Sequence, residues 1–330
     1  MKLPALASVL ALSTATPTPT QPEVGTARIA KRATISDAAD LGFATLNGGT
    51  TGGAGGTVTT VSTLAQFTAA VSEENSAPAI VVIQGVISGN GKVRIGSNKS
   101  IIGLPASGFE GVGLHFRRQS NLILRNIVSS FVPAGNGDAL KIEASTNVWV
   151  DHCEFHSALV ADKDYYDGLV DSSHGSDFVT ISYTYFHDHW KASLNGHSDN
   201  NAGEDQGKLH VTYANNHWKN CNSRAPLLRF GTGHIYNSYY ENMSTAINTR
   251  MGAQVLAESN VFRNVSYPVT SRDSKQVGYA TVIDTDLGGG VNDAPAGNMS
   301  PNSLGYSYSL LGSGAVAGTV PQEAGAILAF

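Results

Sequence analysis

The chain has 330 residues, of which 41% are hydrophobic and 14% are charged, and its formal net charge is −5. This length and composition suffice for one large hydrophobic core and exclude disorder along most of the chain. The sequence contains no Lys- and Arg-rich stretch, which argues against nucleic acid as a partner. Abundant Gly, Ser, Thr, Asn, Val and Ile favour strands and turns, so we predict an all-β protein.

The segment 1–32 is typical of targeting and processing sequence. Met1-Lys2 precedes an apolar stretch over residues 3–12 and then small residues, which is the pattern of a secretory signal. A Thr- and Pro-rich segment runs on to the dibasic pair Lys31-Arg32, where we expect a pro-segment to be removed; an ordinary surface pair is the alternative. Residues 33–330 would remain as one secreted, extracellular domain, and the loss of four bases and one acid would bring its charge to −8. Beyond the first two dozen residues no apolar run approaches the ~20 residues that cross a bilayer, so we expect no membrane contact.

The two cysteines, Cys153 and Cys221, cannot form a disulfide framework. The repeat described below places them in different coils, so we predict free, buried thiols; a single bridge is the alternative. Nothing in the sequence indicates an oligomer, and a monomer is the default. Four sites fit the N-glycosylation pattern: Asn98, Asn242, Asn264 and Asn298.

A degenerate repeat determines the predicted architecture. Six segments have the pattern strand, polar bend, strand, and the apolar residues that close these bends are 28, 31, 32, 22 and 22 residues apart: Ile127, Phe155, Phe186, Trp218, Tyr240 and Phe262. A shortest spacing of 22 with longer excursions indicates a common coil enlarged by loops, which is typical of a solenoid. From the second segment on, small or polar residues suited to an inward bend stand two positions earlier: Cys153, Thr184, Asn216, Ser238 and Asn260.

This repeat predicts a single-stranded right-handed parallel β-helix with Val and Ile filling its bore. A β-sandwich would require hairpin turns every 8 to 12 residues, and Asn-Gly and Asp-Gly pairs are scarce between the segments. The helical spacing of residues 64–71 after a Ser/Thr cap predicts a short helix that closes one end of the bore. We expect the Gly-, Ser- and Pro-rich tail, from about Gly288, to cover the outside as coil.

Three aspartates beside apolar strand segments are candidate metal ligands: Asp138, Asp167 and Asp171. Neighbouring coils are separated by only ~4.8 Å, so carboxylates one coil apart can converge, and oxygen ligands suit Ca²⁺. A solvated acidic loop is the alternative, and it is the interpretation that we favour for the nearby Asp162 and Asp164.

Lys191, Arg224 and Arg229 are candidate substrate-binding residues. Cations beside an acidic metal site, on a protein of net negative charge, describe a groove for an anionic polymer. From the residues alone, three scattered surface cations are an equal alternative.

Two further patterns resemble catalytic motifs and are discounted. The letters His197-Ser198-Asp199 match a hydrolase triad, but triads are defined by geometry and not by adjacency. His187 and His189 alternate as zinc ligands do, yet the sequence offers no second cluster, so structural or groove-lining histidines are favoured.

At these residues the chain resembles pectate lyases of the first polysaccharide lyase family, in particular secreted fungal ones. The similarity covers about residues 60–285, and the matching blocks stand in the family's order: Val148-Trp-Val-Asp-His152, Asp167-Gly-Leu-Val-Asp171, His189-Trp-Lys191 through Gly196-His-Ser-Asp199, Arg224-Ala-Pro-Leu-Leu-Arg229-Phe-Gly231 and Pro268-Val-Thr-Ser-Arg272. The resemblance implies Ca²⁺ as the cofactor and the following roles: Asp138, Asp167 and Asp171 as its ligands, Arg224 as the catalytic base, and Lys191 and Arg229 as substrate-carboxylate clamps.

Two positions refine what the resemblance implies. Asn136 stands where some members have a second aspartate, which implies weaker calcium binding without substrate, or a site completed by substrate oxygens. Relatives that act on methyl-esterified pectin lack the calcium site and place an arginine near the position of Asp171. Asp171 therefore implies a de-esterified substrate.

The implied reaction is β-elimination in α-1,4-linked polygalacturonate. A base removes H-5, the bond from C4 to oxygen breaks, and a 4,5-unsaturated galacturonosyl end forms. An arginine can act as a base only where burial and neighbouring cations disfavour the guanidinium form, which implies an alkaline optimum. Two alternatives stay open: a hydrolase on the same β-helix, which needs paired carboxylates as acid and base, and a non-catalytic polysaccharide-binding solenoid.

Overall fold

The computed structural model describes residues 31–330. The predicted signal peptide and most of the predicted pro-segment, residues 1–30, lie outside the described residues. Ten strands form the first sheet: β2 Thr57–Val61, β3 Ala79–Ile83, β5 Lys99–Gly103, β7 Ser120–Arg125, β10 Thr146–Asp151, β13 Asp177–Ser182, β16 His210–Ala214, β19 Thr232–Tyr236, β21 Gln254–Glu258 and β23 Tyr279–Ile283. Two short strands pair apart from the main sheets: β1 Lys31–Arg32 and β24 Leu328–Ala329.

A second sheet of twelve strands supplies the other two faces of the coils. Its members are β4 Val86–Ile95, β6 Gly108–Arg117, β8 Val128–Ser130, β9 Leu140–Glu143, β11 Glu154–His156, β12 Val170–Ser173, β14 Tyr185–Lys191, β15 Leu194–Asn195, β17 His217–Ser223, β18 Leu227–Arg229, β20 Tyr239–Arg250 and β22 Val261–Thr270. Long strands bend from one face to the other, since β6 pairs with β8 along its first part and with β9 along its second. The named strands pair in parallel with the coils before and after, which confirms the predicted all-β parallel β-helix.

One residue in the left-handed region turns each coil from the first sheet into the second. The bend residues of six successive coils have φ between 46° and 57°: Asn126, His152, Tyr183, Asn215, Asn237 and Ser259. The residue after each bend is buried, and at two of the bends it is an asparagine that satisfies the backbone of the coil below. Asn216 accepts from the Thr184 amide and donates to the Ile181 carbonyl, and Asn260 does the same for the following pair of coils. The predicted inward stack at the bends is therefore confirmed.

The residues that close the bends form a column of stacked rings along the bore. Phe155, Phe186, Trp218, Tyr240 and Phe262 are fully buried and lie in register, with ring centroids 4.0 to 6.0 Å apart. The first member of the predicted series was wrong, because the register pairs Phe155 with Ser129 and not with Ile127. Ile127 is buried two positions earlier in its coil, because that coil is shorter than the spacing from Ile127 to Phe155 suggests.

The predicted capping helix is confirmed as α1, Leu64–Ala70. The Thr63 side chain accepts from the Gln66 amide, which satisfies one of the free donors at the helix start. Phe67 is fully buried against Phe109, with ring centroids 4.7 Å apart, so the helix closes the end of the bore. A second helix, α2 Ala202–Asp205, lies in the loop after β15.

The tail differs from the predicted coil, because it contains the helix α3, Ser313–Glu323. Its glycines and Pro321 lower helix propensity, which is why the sequence did not indicate it. Val316 and Val320, four residues apart, are buried against Val261 on the outside of the second sheet, so packing stabilises the helix. No helix among residues 31–330 is long and apolar enough to span a bilayer. Cys153 and Cys221 are free and buried, as predicted.

Candidate active site

The coil structure brings Asp138 and Asp171 close enough to interact electrostatically. Asp138 precedes β9 and Asp171 lies in β12, the strand that pairs with β9 in the next coil. Both side chains are buried, and each has one oxygen held by a backbone amide at 2.9 Å, from Gly168 and Leu194 respectively. Burial raises the pKa of the Asp138 carboxyl, and the charge of Asp167 adds to the effect. Burial, followed by repulsion from Asp138, raises the pKa of Asp171 well above its ordinary value.

Asp167 is the third predicted calcium ligand, and its side chain is less buried than those of Asp138 and Asp171. Its side chain is 46% exposed, and its Oδ1 lies 3.4 Å from the Lys191 ammonium. Oxygens bound to one Ca²⁺ at 2.3–2.6 Å are at most about 5 Å apart. Within the described part of the chain, the three aspartates are not among the groups whose ligand atoms all lie within 4.8 Å of one another. The three carboxylates are therefore not preassembled around one ion in this arrangement.

The residues present nevertheless fit a hard divalent cation. Two buried carboxylates that repel each other, each with one oxygen already hydrogen-bonded, leave negative charge that a divalent ion would neutralise. Two lysines that the sequence analysis missed provide part of that charge compensation. The Lys141 ammonium lies 3.8 Å from Asp138 Oδ2, and the ammonium of Lys92, beside Gly137, also lowers the pKa of Asp138.

Asn136, at the position of the missing second aspartate, is engaged in holding the backbone. Its amide donates to Asn90 Oδ1 and to the Gly111 carbonyl, both at 2.8 Å, and the side chain is buried. This amide group ties the turn before Asp138 to the preceding coil.

Arg224 lies between β17 and β18, with φ of 61°, at the edge of a cavity of about 220 Å³. Its carbonyl accepts from the Ser193 amide at 2.7 Å, which ties the turn to the coil below. The positive charge of Arg224 lowers the pKa of Asp171, so the guanidinium lies within electrostatic reach of the buried acids. Arg229 and Arg250 line the same cavity.

Comparison with known proteins agrees with this arrangement of acids and cations. Residues 7–327 match the family model described as pectate lyase. The chain belongs to the pectate lyase family. It is 47% identical over 328 residues to the probable pectate lyase B of Aspergillus terreus, covering 98% of this chain and 99% of the relative. It is 54% identical over 321 residues to the probable pectate lyase A of Aspergillus fumigatus, covering 97% and 96%.

The fold is similar to that of a pectate lyase from Bacillus sp. N165 solved in complex with trigalacturonate. The TM-score is 0.77 at 31% sequence identity, and the match covers 88% of this chain and 99% of that one. As a member of the pectate lyase family, the chain is a polysaccharide lyase.

In this pectate lyase-family chain, Arg229 is held rigidly. Its Nε donates to Asp199 Oδ1 at 2.6 Å and its Nη1 to the Gly196 carbonyl at 2.9 Å. Asp199, discounted as part of a triad, thus positions a predicted substrate-binding residue. The neighbouring His197 stacks on His174, with ring centroids 4.2 Å apart.

Arg250, which lines the same cavity as Arg224, was not predicted from the sequence. It lies in register with Arg229 on the next coil, and burial, followed by the charge of Arg229, lowers its pKa. Its Nε is buried without a hydrogen-bond partner among the described residues. The repeat could have indicated Arg250, because one coil of 22 residues, the shortest spacing, counted onward from Arg229 ends next to it.

His189 and Asp164 hold the loop beside the predicted trio. His189 is buried; its Nε2 donates to the Asp167 carbonyl at 2.6 Å and its Nδ1 accepts from the Ser157 hydroxyl. Burial lowers the pKa of His189 to about 4, so the ring is neutral. Asp164 is exposed, as expected, but its carboxylate also contacts the Lys191 ammonium at 2.8 Å.

His187 lies in a second group of potential ligands, because β11 places Glu154 and His156 beside it. Strand pairing between successive coils creates this group, and no local sequence pattern indicates it.

Proposed function

We propose that this chain is a secreted, Ca²⁺-dependent pectate lyase that cleaves de-esterified polygalacturonate by β-elimination, with Arg224 as the base. One observation carries the proposal: the buried Asp171 carboxyl, whose pKa is raised, lies within electrostatic reach of Arg224, which lines one cavity with Arg229 and Arg250. The similar Bacillus protein, solved with trigalacturonate, supports the choice of substrate.

The residues of the groove have distinct roles in this proposal. Arg224 accepts the C5 proton, and Lys191 and Arg229 hold the carboxylates of the polymer. Bound Ca²⁺, held by Asp138, Asp167 and Asp171, would neutralise the C6 carboxylate and so make the C5 proton more acidic. The electron pair left at C5 forms the 4,5 double bond as the bond from C4 to the leaving oxygen breaks, and solvent returns a proton to that oxygen.

The cluster of cations supports a proton-accepting arginine. The pKa of Arg250 is lowered, chiefly by burial, and the charges of Arg229 and Arg224 contribute. In the same direction, the charges of Lys191 and Arg224 contribute to the low pKa of His189.

An ultraviolet assay on polygalacturonate tests the proposed reaction directly. Elimination creates a conjugated double bond, so absorbance should rise with each cleavage, and chelation of calcium should stop the rise. New reducing ends without a rise in absorbance would indicate hydrolysis, and tight polymer binding without scission would indicate a binding protein. Either result would overturn the proposal.

Secretion and processing belong to the same proposal and have their own test. A fungal host expressing the full chain should release it into the medium with Ala33 as its first residue, as measured by N-terminal sequencing. Intact mass before and after glycosidase treatment would show whether the four sites at Asn98, Asn242, Asn264 and Asn298 carry glycans. Retention of residues 1–32 in the secreted protein would contradict the predicted processing.

A further inference from the structure

We propose that Glu154, His156 and His187 form a binding site for a divalent transition-metal ion such as Zn²⁺, separate from the groove. The three residues lie on two neighbouring coils, in strands β11 and β14, and His156 is in register with His187. One nitrogen of each histidine and one oxygen of Glu154 lie within 4.8 Å of one another. Two imidazoles and a carboxylate are a ligand set that zinc uses in proteins.

The separation of Glu154 from His187 already suits a metal. Glu154 Oε1 lies 3.3 Å from His187 Nε2, which is long for a hydrogen bond between charged groups. Two ligands bound to a tetrahedral zinc at about 2.0–2.1 Å are themselves about 3.3 Å apart. A zinc ion can therefore take the place of the proton between these two atoms with little movement of either side chain.

The second ring nitrogen of His187, Nδ1, is hydrogen-bonded as in known metal sites. Its Nδ1 donates to Asp188 Oδ2 at 2.8 Å, and Asp188 in turn accepts from the Asn220 amide at 2.8 Å. A metal-bound histidine typically donates its second ring nitrogen to a carboxylate in this way, which fixes the tautomer and increases the basicity of the ligating nitrogen. Here that arrangement leaves Nε2 to face Glu154.

His156 supplies the third ligand after its ring rotates out of the stack on His187. Its ring stacks on that of His187, with centroids 4.5 Å apart and an interplanar angle of 14°. A rotation of the His156 ring about its last side-chain bond brings its nitrogen toward the ion. Phe131 contacts this ring edge-on, and Tyr185 stacks on His187, so the site has aromatic walls.

The site would hold two coils together. The side chains of His187 and Glu154 are 15% and 31% exposed, so the site is open to metal from solvent and leaves room for water as a fourth ligand. Because the ligands come from paired strands of two successive coils, an ion bound only by the folded chain would stabilise the fold.

Zinc titration calorimetry on the full chain tests this inference. The protein is prepared without a polyhistidine tag, stripped with a chelator, and kept in excess Ca²⁺ so that the aspartates of the groove do not accept zinc. We expect one saturable zinc ion per chain and a rise in Tm on addition of zinc. No saturable binding, or binding without a change in Tm, would overturn the proposal.

Matched variants locate the ion. Glu154→Gln keeps the shape of the side chain and removes its charge, and it should weaken zinc binding at least about tenfold; Asp188→Asn should weaken it about tenfold. His174→Asn is the control, because His174 belongs to another stacked histidine pair and bonds to Glu204 at 2.7 Å. Unchanged zinc affinity in Glu154→Gln, or loss of affinity in His174→Asn, would overturn the assignment. The outcome does not depend on the lyase activity, which the Glu154 variant should retain.

Discussion

The guanidinium of Arg224 shares its cavity with Arg229 and Arg250, so a substitution there changes both the reacting group and the charge around it. Arg224→Lys keeps the positive charge but moves the nitrogen and alters its geometry. We expect kcat to fall about 10²- to 10⁴-fold, the range typical for loss of a general base, with a much smaller change in KM. Steady-state ultraviolet assays on polygalacturonate measure both constants.

The control for this substitution is Arg263→Lys, on an exposed arginine paired with Asp286. It should leave kcat unchanged. A kcat for Arg224→Lys within about threefold of the unsubstituted enzyme would show that another group takes the proton.

Asp199 acts on substrate only through Arg229, and this indirect role has a kinetic signature. Asp199→Asn keeps a hydrogen-bond acceptor for Arg229 Nε but removes the negative charge that holds it. A hydrogen bond to a charged group is worth about 1.5–3 kcal/mol and a neutral one less, so we expect KM to rise about tenfold with little change in kcat. Asp284→Asn, which alters a bond to Ser313 in the tail, is the matched control. A fall in kcat with unchanged KM would contradict a positioning role.

At the scale of the strand and its bend, inward asparagines carry a measurable part of the stability. Asn216 is fully buried and bridges two coils through hydrogen bonds to the Thr184 amide and the Ile181 carbonyl. Asn216→Ala leaves both backbone groups without a partner, which costs about 1–3 kcal/mol for each buried group. Urea unfolding should show a loss of about 2–6 kcal/mol for the two groups together.

The outward asparagines provide the comparison. Asn264 has φ of 53°, which glycine adopts without strain, and it donates to Asn242 on the exposed side of the coils. Asn264→Gly should therefore change the free energy of unfolding by no more than about 0.5 kcal/mol. Equal losses for Asn216→Ala and Asn264→Gly would show that the inward asparagine does not stabilise the fold more than an exposed one.

The same bends explain why the strands could be predicted from the sequence. Each coil repeats an apolar closing residue after a small or polar inward residue, so the pattern is local and recurs. Ile127 misled the prediction because its coil matches the pattern two positions out of register, and only pairing with Phe155 reveals the shift. Helix α3 was not predicted, because its stability comes from contact of Val316 and Val320 with a strand that is distant in sequence.

Residues of the candidate site that lie in a family motif could be predicted from the sequence. Residues that come together only through pairing of neighbouring coils could not. Asp171, Arg224 and Arg229 stand in recognisable blocks. Lys141 and Arg250 join the candidate site because strand pairing places them beside Asp171 and Arg229 respectively. A local reading cannot find such residues, because their neighbours in space are about one coil away in sequence.

The Lys141 ammonium also gives a test of the predicted calcium site. Lys141→Met removes a positive charge 3.8 Å from Asp138 Oδ2, so a calcium ion would meet less repulsion there. We expect calcium to bind more tightly in calorimetry, by up to about fivefold, since partly screened charge pairs contribute up to about 1 kcal/mol. Lys219→Met is the control, because Lys219 lies in register with His187, away from the groove. Weaker calcium binding in Lys141→Met would contradict an ion held at Asp138.

Across the whole molecule, burial of neutral histidines makes the fold sensitive to acid. Burial lowers the pKa values of His115 and His189 to about 4, from the ordinary value of 6.5. The unfolded chain therefore takes up protons at these rings first. The stability that they contribute is complete above pH 6.5 and is lost as the pH falls through 6.5 toward about 4.

The acid sensitivity can be assigned to these two rings by substitution. Integrated over that pH interval, each ring accounts for at most about 3 kcal/mol. His189→Gln should be less stable at pH 7, because it loses the bonds to Asp167 and Ser157, but its stability should fall less steeply between pH 6.5 and 4. Urea unfolding at pH 4, 5, 6 and 7 measures both slopes. Parallel curves for His189→Gln and the unsubstituted chain would show that the acid loss arises elsewhere, for example from the paired carboxylates around Arg125.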